Sequence, residues 1–305
     1  GNNTVHGGEG DDTVTSGSGD DILDGGAGDD VLSGGAGDDS ISGGTGNDTI
    51  LGGSGNNTLD GGEGDDSIES GTGDDYIIGG TGDDTVWLNG EYGNDTITGG
   101  EGVDTLRADL AAGDQTVTLS GNGAGSITNG TSAADFAEIE HVALGSGNDT
   151  VALEDGFAIG SISNFTAPVD NGDGTFTVTD TLDTSGITNA NGSPVNTVDV
   201  SVADDGSGNS VLSFPNGETL TLIGVDPAAL TEDALVALGV PAAEVIGSEA
   251  DDSVTATDAD ETIDAGDGNN TVHAGGGDDT VTAGSGDDTI DAGTGNDTIN
   301  AGDGN

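Results

Sequence analysis

Residues 7–51 read GGEGDDTVT SGSGDDILD GGAGDDVLS GGAGDDSIS GGTGNDTIL, one nine-residue unit repeated without a gap. The unit continues to Trp87, recovers its frame after a two-residue insertion around 89–92, and ends at Arg107. A single copy, LGSGNDTVA, occupies 144–152, and a second block runs from 247 to 305. A fixed short period of this kind predicts units that stack on one another, because no single unit can bury its apolar side chain alone.

Each unit divides into a turn and a strand. The last three residues alternate hydroxyl, aliphatic and polar side chains, which predicts a short strand with one inward residue. The first six are rich in glycine, which predicts a turn. Two units then form one coil of a parallel β-roll, with coils about 4.8 Å apart. The predicted inward residues are Val14, Leu23, Leu32, Ile41, Ile50, Leu59, Ile68, Ile77, Val86, Ile97, Leu106, Val254, Ile263, Val272, Val281, Ile290 and Ile299.

The charge balance limits how such a chain can fold. Of 305 residues, 59 are acidic and only one, Arg107, is Lys or Arg, which gives a formal net charge of −58. Self-repulsion on this scale opposes compaction, so bound cations are expected to supply the missing free energy. Nucleic acid and anionic membrane surfaces are poor partners, because both would be repelled, so neither nucleic-acid binding nor membrane insertion is expected. The chain has no Cys, so disulfides cannot stabilise it.

The sixth position of the unit is the candidate cation ligand. Units two apart lie on the same edge of the roll, so their sixth-position carboxylates face each other across one strand spacing. Two carboxylates that close repel strongly unless a cation lies between them. Calcium suits such a gap, because it accepts six to eight oxygen ligands at flexible angles. Glycine-rich turns add main-chain carbonyl oxygens as further ligands.

The pattern G-G-x-G-x-D-x-U-x, with U aliphatic, resembles the RTX, or hemolysin-type calcium-binding, repeat of type I-secreted bacterial proteins. The resemblance implies calcium bound by the sixth-position carboxylate and by turn carbonyls of two neighbouring loops. It also implies a bacterial protein located outside the cell or at its surface. The metal ligands predicted on this basis are Asp12, Asp21, Asp30, Asp39, Asp48, Asp66, Asp75, Asp84, Asp95, Asp104, Asp149, Asp252, Glu261, Asp279, Asp288 and Asp297.

Three units depart from this pattern at the sixth position. Asn57 and Asn270 remove the charge but keep an oxygen ligand, and Glu261 is one methylene longer. Weaker calcium binding is expected at these three steps. The fifth position is also usually acidic, and it is interpreted as a solvated turn residue.

The predicted fold class is all-β, with two parallel β-rolls flanking a mainly antiparallel β domain that contains one short helix. The expected domains are a first roll (1–107), a closing segment with the isolated repeat (108–160), a β-rich module with a helix near 231–239 (161–246), and a second roll (247–305). Strands are predicted at 115–120, 125–130, 176–180, 197–203, 210–214 and 218–225. Thr231 is the expected N-cap of the helix.

No pattern in the sequence supports catalysis, so the chain is predicted not to be an enzyme. It has neither an H-E-x-x-H zinc motif nor a G-x-S-x-G elbow with a suitable histidine. His6 and His273 occupy equivalent ninth positions and are interpreted as strand residues. No catalytic residue and no organic cofactor site are predicted.

Two functions fit these features. The first is a calcium-stiffened extracellular scaffold, such as a surface layer, an adhesin or a filament segment, that folds on calcium after export. The second is a non-catalytic secretion and folding module of a larger secreted enzyme, such as a protease or lipase. A calcium-dependent glycan-binding module in the middle domain stays open as a third.

The run from Gly1 closely matches the run from Gly268, which favours copies stacked end to end. The chain begins and ends inside a unit, so it is expected to be part of a longer protein.

Overall fold

A computed structural model of the protein describes residues 1–109, 113–121, 123–172, 175–189, 192–242, 244–256 and 260–304. Within these residues the structure is almost entirely β. The first repeat block forms β1 (Thr4–Glu9), β2 (Thr13–Ser18), β3 (Ile22–Ala27), β4 (Val31–Ala36), β5 (Ser40–Thr45), β6 (Thr49–Ser54), β7 (Thr58–Glu63), β8 (Ser67–Thr72), β9 (Tyr76–Thr81), β10 (Thr85–Trp87), β11 (Asn94–Glu101) and β12 (Thr105–Arg107).

These strands wind into a parallel β-roll. The odd-numbered strands β1 to β11 follow one another in one sheet, and the even-numbered strands β2 to β12 in a second. Leu23 lies opposite Ile41, and Leu32 opposite Ile50, so each coil contains two units. The predicted arrangement is confirmed, and the two-residue insertion changes the register only locally, with Ile77 opposite Ile97.

The inward aliphatic side chains fill the space between the two sheets. In the first roll the inward side chains from Leu23 to Leu106 are at most 2% exposed. They are Leu23, Leu32, Ile41, Ile50, Leu59, Ile68, Ile77, Val86, Ile97 and Leu106. Val14 is only partly buried against this core. Tyr92 of the insertion is also fully buried. Burial of one aliphatic side chain contributes about 1.5–3 kcal/mol, so the stabilisation from apolar burial increases with each unit added.

Strands β1 to β9 of the first roll are longer than predicted. They cover six residues rather than three, because they continue through the first three positions of the next unit, as in β5, whereas β10 and β12 have the predicted three. Gly44, at the second position, has φ +115° and lies directly on the carbonyl group of Gly26 in the preceding coil. Only glycine combines this backbone angle with such close approach of two main chains.

Replacement of Gly44 by alanine is therefore expected to destabilise the roll strongly. A Cβ at Gly44 would lie 2.1 Å from the carbonyl oxygen of Gly26, whereas one at Gly8, with φ +118°, would meet nothing within 4 Å. Gly8→Ala should cost about 1–2 kcal/mol for the backbone angle alone. Gly44→Ala should cost about 1–3 kcal/mol more for the overlap. Denaturant unfolding in saturating calcium measures both, and equal costs would contradict this account.

The middle segment extends both sheets of the first roll. Beyond β11 the first sheet continues in the order β15-β14-β13-β17-β21, and beyond β12 the second continues as β16-β18-β24-β23-β22. The strands are β13 (Thr116–Leu119), β14 (Gly125–Thr128), β15 (Ala133–Ala137), β16 (His141–Ala143), β17 (Thr150–Glu154), β18 (Ser161–Ser163), β19 (Val169–Asp170), β20 (Phe176–Thr177), β21 (Thr181–Gly186), β22 (Ser201–Asp204), β23 (Ser210–Ser213) and β24 (Thr219–Ile223).

A mainly antiparallel middle domain is not confirmed, because the pairing is mixed. Antiparallel hairpins such as β13–β14 and β22–β23 are inserted, but β13–β17, β17–β21, β16–β18 and β18–β24 pair in parallel. The parallel strands stack as further coils, with Val151 opposite Leu182. A single apolar core serves the first roll and this segment. The four domain boundaries remain a prediction.

Two elements of the middle segment differ from the predicted strands, and one matches its prediction. The strand predicted at 176–180 is reduced to Phe176–Thr177, and that at 197–203 begins as a 3₁₀ turn, Thr197–Asp199. Asn196 caps this turn by accepting the Val198 N–H, which overrides the alternating pattern. The predicted helix is present as α1 (Glu232–Leu238). A second 3₁₀ turn spans Pro227–Ala229.

The second repeat block forms a roll with its own sheets and core. One sheet has the order β25-β27-β29-β31 and the other β26-β28-β30. The strands are β25 (Glu244–Ile246), β26 (Ser253–Thr255), β27 (Thr262–Asp264), β28 (Thr271–His273), β29 (Thr280–Thr282), β30 (Thr289–Asp291) and β31 (Thr298–Asn300). Val254, Ile263, Val272 and Val281 are buried as predicted, Ile290 is partly buried, and Ile299 is 49% exposed. Across the described segments, no helix has the length and apolarity needed to span a bilayer.

Candidate metal centre

The sixth-position side chains form columns along the turns of the roll. The Asp21 N–H donates to Asp39 Oδ1 at 2.8 Å, and the Asp30 N–H donates to Asp48 Oδ1 at 2.7 Å. All four side chains are at most 2% exposed. One oxygen of each carboxylate is thus fixed by the main chain of the preceding coil. The remaining oxygen is left to face the glycine-rich turns.

The structure brings the predicted ligands together in these columns. The same hydrogen bond repeats with spacings of 18 to 36 residues wherever the described turns stack. The columns are Asn3–Asp21–Asp39–Asn57–Asp75–Asp95; Asp12–Asp30–Asp48–Asp66–Asp84–Asp104–Glu140; Gln115–Asp149–Asp180; Asp252–Asn270–Asp288; and Glu261–Asp279–Asp297.

Four members of these columns were missed from the sequence: Asn3, Gln115, Glu140 and Asp180. Asp180 is 1% exposed and accepts the Asp149 N–H at 2.9 Å. It precedes Thr181-Leu182-Asp183, which is the hydroxyl–aliphatic–polar ending of a repeat unit. That ending was the available signal for Asp180. Gln115 and Asn3 likewise precede Thr-Val, but without an acidic side chain.

The second carboxylate oxygen is a buried acceptor without a hydrogen-bond donor at many steps. In the described residues this holds for Oδ2 of Asp12, Asp21, Asp30, Asp39, Asp48, Asp66, Asp75, Asp84, Asp104, Asp279 and Asp288. A Cβ built on Gly43 would lie 2.2 Å from Asp48 Oδ2 and 2.5 Å from the Gly61 carbonyl oxygen. Two acceptors, from adjacent coils, therefore border the same small space. Buried oxygens in this arrangement require a cation or a proton.

The raised pKa values of several column carboxylates also indicate a site that needs a cation or a proton. Burial raises the pKa of Asp66 and of Asp95 from 3.8 to about 7, against the opposing effect of the N–H hydrogen bonds. Burial raises the pKa of Asp75 and of Asp84 to about 6. Repulsion from neighbouring carboxylates adds to the rise at all four. The bare, ionised column is thus unfavourable near neutral pH, and a bound cation would relieve it.

The donor set fits calcium. Within the described part of the chain no three His, Asp or Glu side chains gather around one point. A cation between two turns therefore has to combine a few carboxylate oxygens with main-chain carbonyls. This all-oxygen, flexible set is the kind that calcium accepts, whereas magnesium demands a stricter octahedron.

Some predicted ligands already have protein donors on the second oxygen. Asp252 Oδ2 accepts the N–H and the hydroxyl of Ser248, at 2.6 and 2.7 Å. Asp95 Oδ2 accepts the Ser70 hydroxyl at 3.4 Å. Asp180, which was not predicted, uses Oδ2 to accept the Thr166 N–H at 2.6 Å. These steps are poorer candidates for a bound ion than Asp48 or Asp66.

The fifth-position side chains form a separate outer ladder. The Asp29 N–H donates to Asp11 Oδ1 at 3.0 Å, and the Asp38 N–H to Asp20 Oδ1 at 3.1 Å, both exposed. The direction is opposite to that of the inner columns, since here the later coil donates. The outer ladder ties the turns together and stays in contact with solvent.

A comparison with protein families identifies the repeats. The family model of the RTX calcium-binding nonapeptide repeat matches residues 1–32, 15–50, 24–59, 51–86, 87–112, 246–281, 255–290 and 273–305. These matches cover more than half of the chain, so the chain belongs to this family. Membership implies calcium binding by a β-roll. No curated protein matches the chain.

Proposed function

We propose that the protein is an extracellular structural scaffold, a segment of a surface layer, adhesin or filament, that folds on calcium after export. The observation that carries the proposal is the series of buried Oδ2 atoms that face turn carbonyls, as at Asp48 and Gly61. Their number makes calcium part of the framework rather than a regulator at one site.

Each sixth-position aspartate that stacks on a preceding coil contributes to the site through two atoms. Oδ1 accepts a main-chain N–H and holds the carboxylate in place, as Asp48 does for Asp30. Oδ2 and the first-position carbonyls of two adjacent turns would hold the ion. Calcium, when bound, supplies the positive charge that allows these oxygens to lie close together. The predicted ligands named above are proposed to act in this way.

The location follows from the affinity expected of such sites. Extracellular calcium modules bind at about 10⁻⁴–10⁻³ M, far above cytosolic calcium. The chain would therefore stay unfolded before type I secretion and fold outside the bacterium, where binding stabilises the native state by mass action. The alternative, a folding module of a larger secreted enzyme, uses the same calcium chemistry. A catalytic motif in a longer open reading frame would favour it.

Self-association is part of the scaffold proposal. The first run, GNNTVHGGEGDDTVTSGSGDD, and the run from Gly268, GNNTVHAGGGDDTVTAGSGDD, share their phase and most of their residues. Both form strands of parallel sheets, β1–β2 and β28–β29. One roll could therefore continue another in register when copies stack end to end.

A calcium titration of folding tests the proposal. Folding of the calcium-free chain, followed by far-ultraviolet circular dichroism from about 10⁻⁷ to 10⁻² M calcium, should have its midpoint near 10⁻⁴–10⁻³ M. Magnesium at the same concentrations is the control and should fold little of the chain. A midpoint in the micromolar range or below would contradict folding after export, since the chain would then fold inside the cell.

A further inference from the structure

At two steps inside the columns, each stacked on a preceding coil, an asparagine stands in place of the aspartate. Asn57 and Asn270 are 2% and 1% exposed. Their Oδ1 atoms do what every Oδ1 in a column does, accepting the Asp39 N–H at 3.0 Å and the Asp252 N–H at 2.9 Å. The atom left to face the turns is therefore Nδ2, a donor, and not the oxygen ligand expected from the sequence.

The amide nitrogen of Asn270 lies among the turn carbonyls. It donates to Ala265 O at 3.2 Å, to Gly266 O at 3.1 Å and to Ala283 O at 3.4 Å. Ala265 and Ala283 occupy the first position of units two apart, so the amide connects its own turn with the turn of the next coil. The Ala283 carbonyl is the counterpart of the Gly61 carbonyl, which borders the same space as Asp48 Oδ2.

Asn57 in the first roll also directs its amide nitrogen at a turn carbonyl, although its hydrogen bond stays within its own turn. Its Nδ2 donates to Gly55 O at 3.2 Å. A Cβ built on Gly52 would lie 3.1 Å from Asn57 Nδ2 and 2.3 Å from the Ser70 carbonyl oxygen. At the equivalent point in the Asp48 step, the two neighbours are both oxygens. A donor faces an acceptor at Asn57, whereas two acceptors face each other at Asp48.

We propose that the side-chain amides of Asn57 and Asn270 take the place of calcium at their steps, so that each roll contains a step closed by hydrogen bonds alone. The inference rests on the proposed function, since it needs calcium at the aspartate steps. The neutral amide directs the partial positive charge of its N–H groups at the carbonyl oxygens that an ion contacts elsewhere, and it excludes an ion because its hydrogens point at the ion's ligands. The steps at Asn57 and Asn270 are then independent of calcium, unlike their neighbours.

Counting ions in matched variants tests this inference. Native mass spectrometry of the calcium-saturated chain should give one more ion for Asn57→Asp than for the wild type, one more for Asn270→Asp, and two more for the double variant. Asp39→Asn, one coil away from Asn57 in the same column, is the mirror control and should lose one ion. Anomalous diffraction from wild-type crystals should show calcium at the Asp48 step and none at the Asn57 or Asn270 step.

The outcomes separate this inference from the proposed function. Calcium density beside Asn57 or Asn270 in the wild type would overturn the inference alone. So would unchanged ion counts in both aspartate variants while the wild type remains calcium-loaded. A wild-type chain that binds no calcium would overturn the proposed function together with the inference.

Discussion

Removal of calcium near neutral pH is expected to abolish the β-sheet signal of the protein, and its return is expected to restore it. Without the ions, buried carboxylates would have to ionise beside their column neighbours, Asp66 beside Asp84 and Asp95 beside Asp75, although burial has raised the pKa of Asp66 and of Asp95. Each uncompensated buried charge costs on the order of several kcal/mol. A native domain has only about 5–15 kcal/mol in total, so a few such steps exceed the stability of the roll.

Circular dichroism in excess chelator measures this effect, and two neighbouring variants act as controls. Asp66→Ala removes a buried column member and should raise the calcium concentration needed for folding. Asp65→Ala changes the exposed fifth position of the same turn and should raise it much less. A spectrum that stays unchanged in excess chelator would show that the roll does not need its ions.

Acid is expected to replace calcium as the stabilising agent. The pKa of Asp66 and of Asp95 is about 7 in the fold, and that of Asp75 and of Asp84 about 6, against 3.8 for the ordinary carboxyl group. Because the folded pKa values are raised, the folded state binds more protons than the unfolded chain between pH 4 and 7. The contribution of these four carboxyl groups to the stability of the fold is therefore fully present below about pH 4 and is lost as the pH rises through 6 to 7.

The calcium-free chain should accordingly keep β structure at about pH 4 to 5 and lose it by about pH 8. Calcium-loaded protein should hold its structure across that range at saturating calcium. The measurement is a pH series of far-ultraviolet spectra on protein stripped over a chelating resin. A stripped chain that gains no β structure when the pH is lowered from 8 to 5 would contradict the raised pKa values.

The repeat blocks were predictable because their determinants are local. A hydroxyl–aliphatic–polar triplet and a glycine-rich turn specify one strand and one turn, and the period carries that result to every copy. Even so, the six-residue length of strands such as β5 was missed. It depends on Gly26 and Gly44 lying against each other, which is a contact between coils rather than a property of one unit.

The middle segment was harder to predict because its sequence has no period. The triplets Thr150-Val151-Ala152 and Thr181-Leu182-Asp183 match the ending of a repeat unit, but single copies without a period do not specify that β17 and β21 pair in parallel as further coils. The same gap concealed Asp180 and Glu140, whose partners Asp149 and Asp104 lie 31 and 36 residues away. Long-range pairing of this kind depends on tertiary packing, which overrides local alternation.

The asparagine steps show a different limit. The sequence identifies Asn57 and Asn270 as neutral residues, but it does not specify whether the oxygen or the nitrogen of each side-chain amide faces the turn. That choice is made by the N–H of Asp39, which takes the oxygen and leaves the nitrogen toward the carbonyls. The role of an amide in such a column therefore depends on its neighbour one coil earlier.

The alternation of strands between two sheets has a consequence for how chains of this type can change length. Gain or loss of 18 residues adds or removes one whole winding and leaves every later strand on its own side. A change of nine would transfer all later strands to the opposite side and exchange the two rows of acidic turns. Small insertions such as the one that carries Tyr92 are absorbed within a bend, where Ile77 still meets Ile97. Duplication and deletion should therefore proceed in pairs of units, which makes the growth of such proteins stepwise.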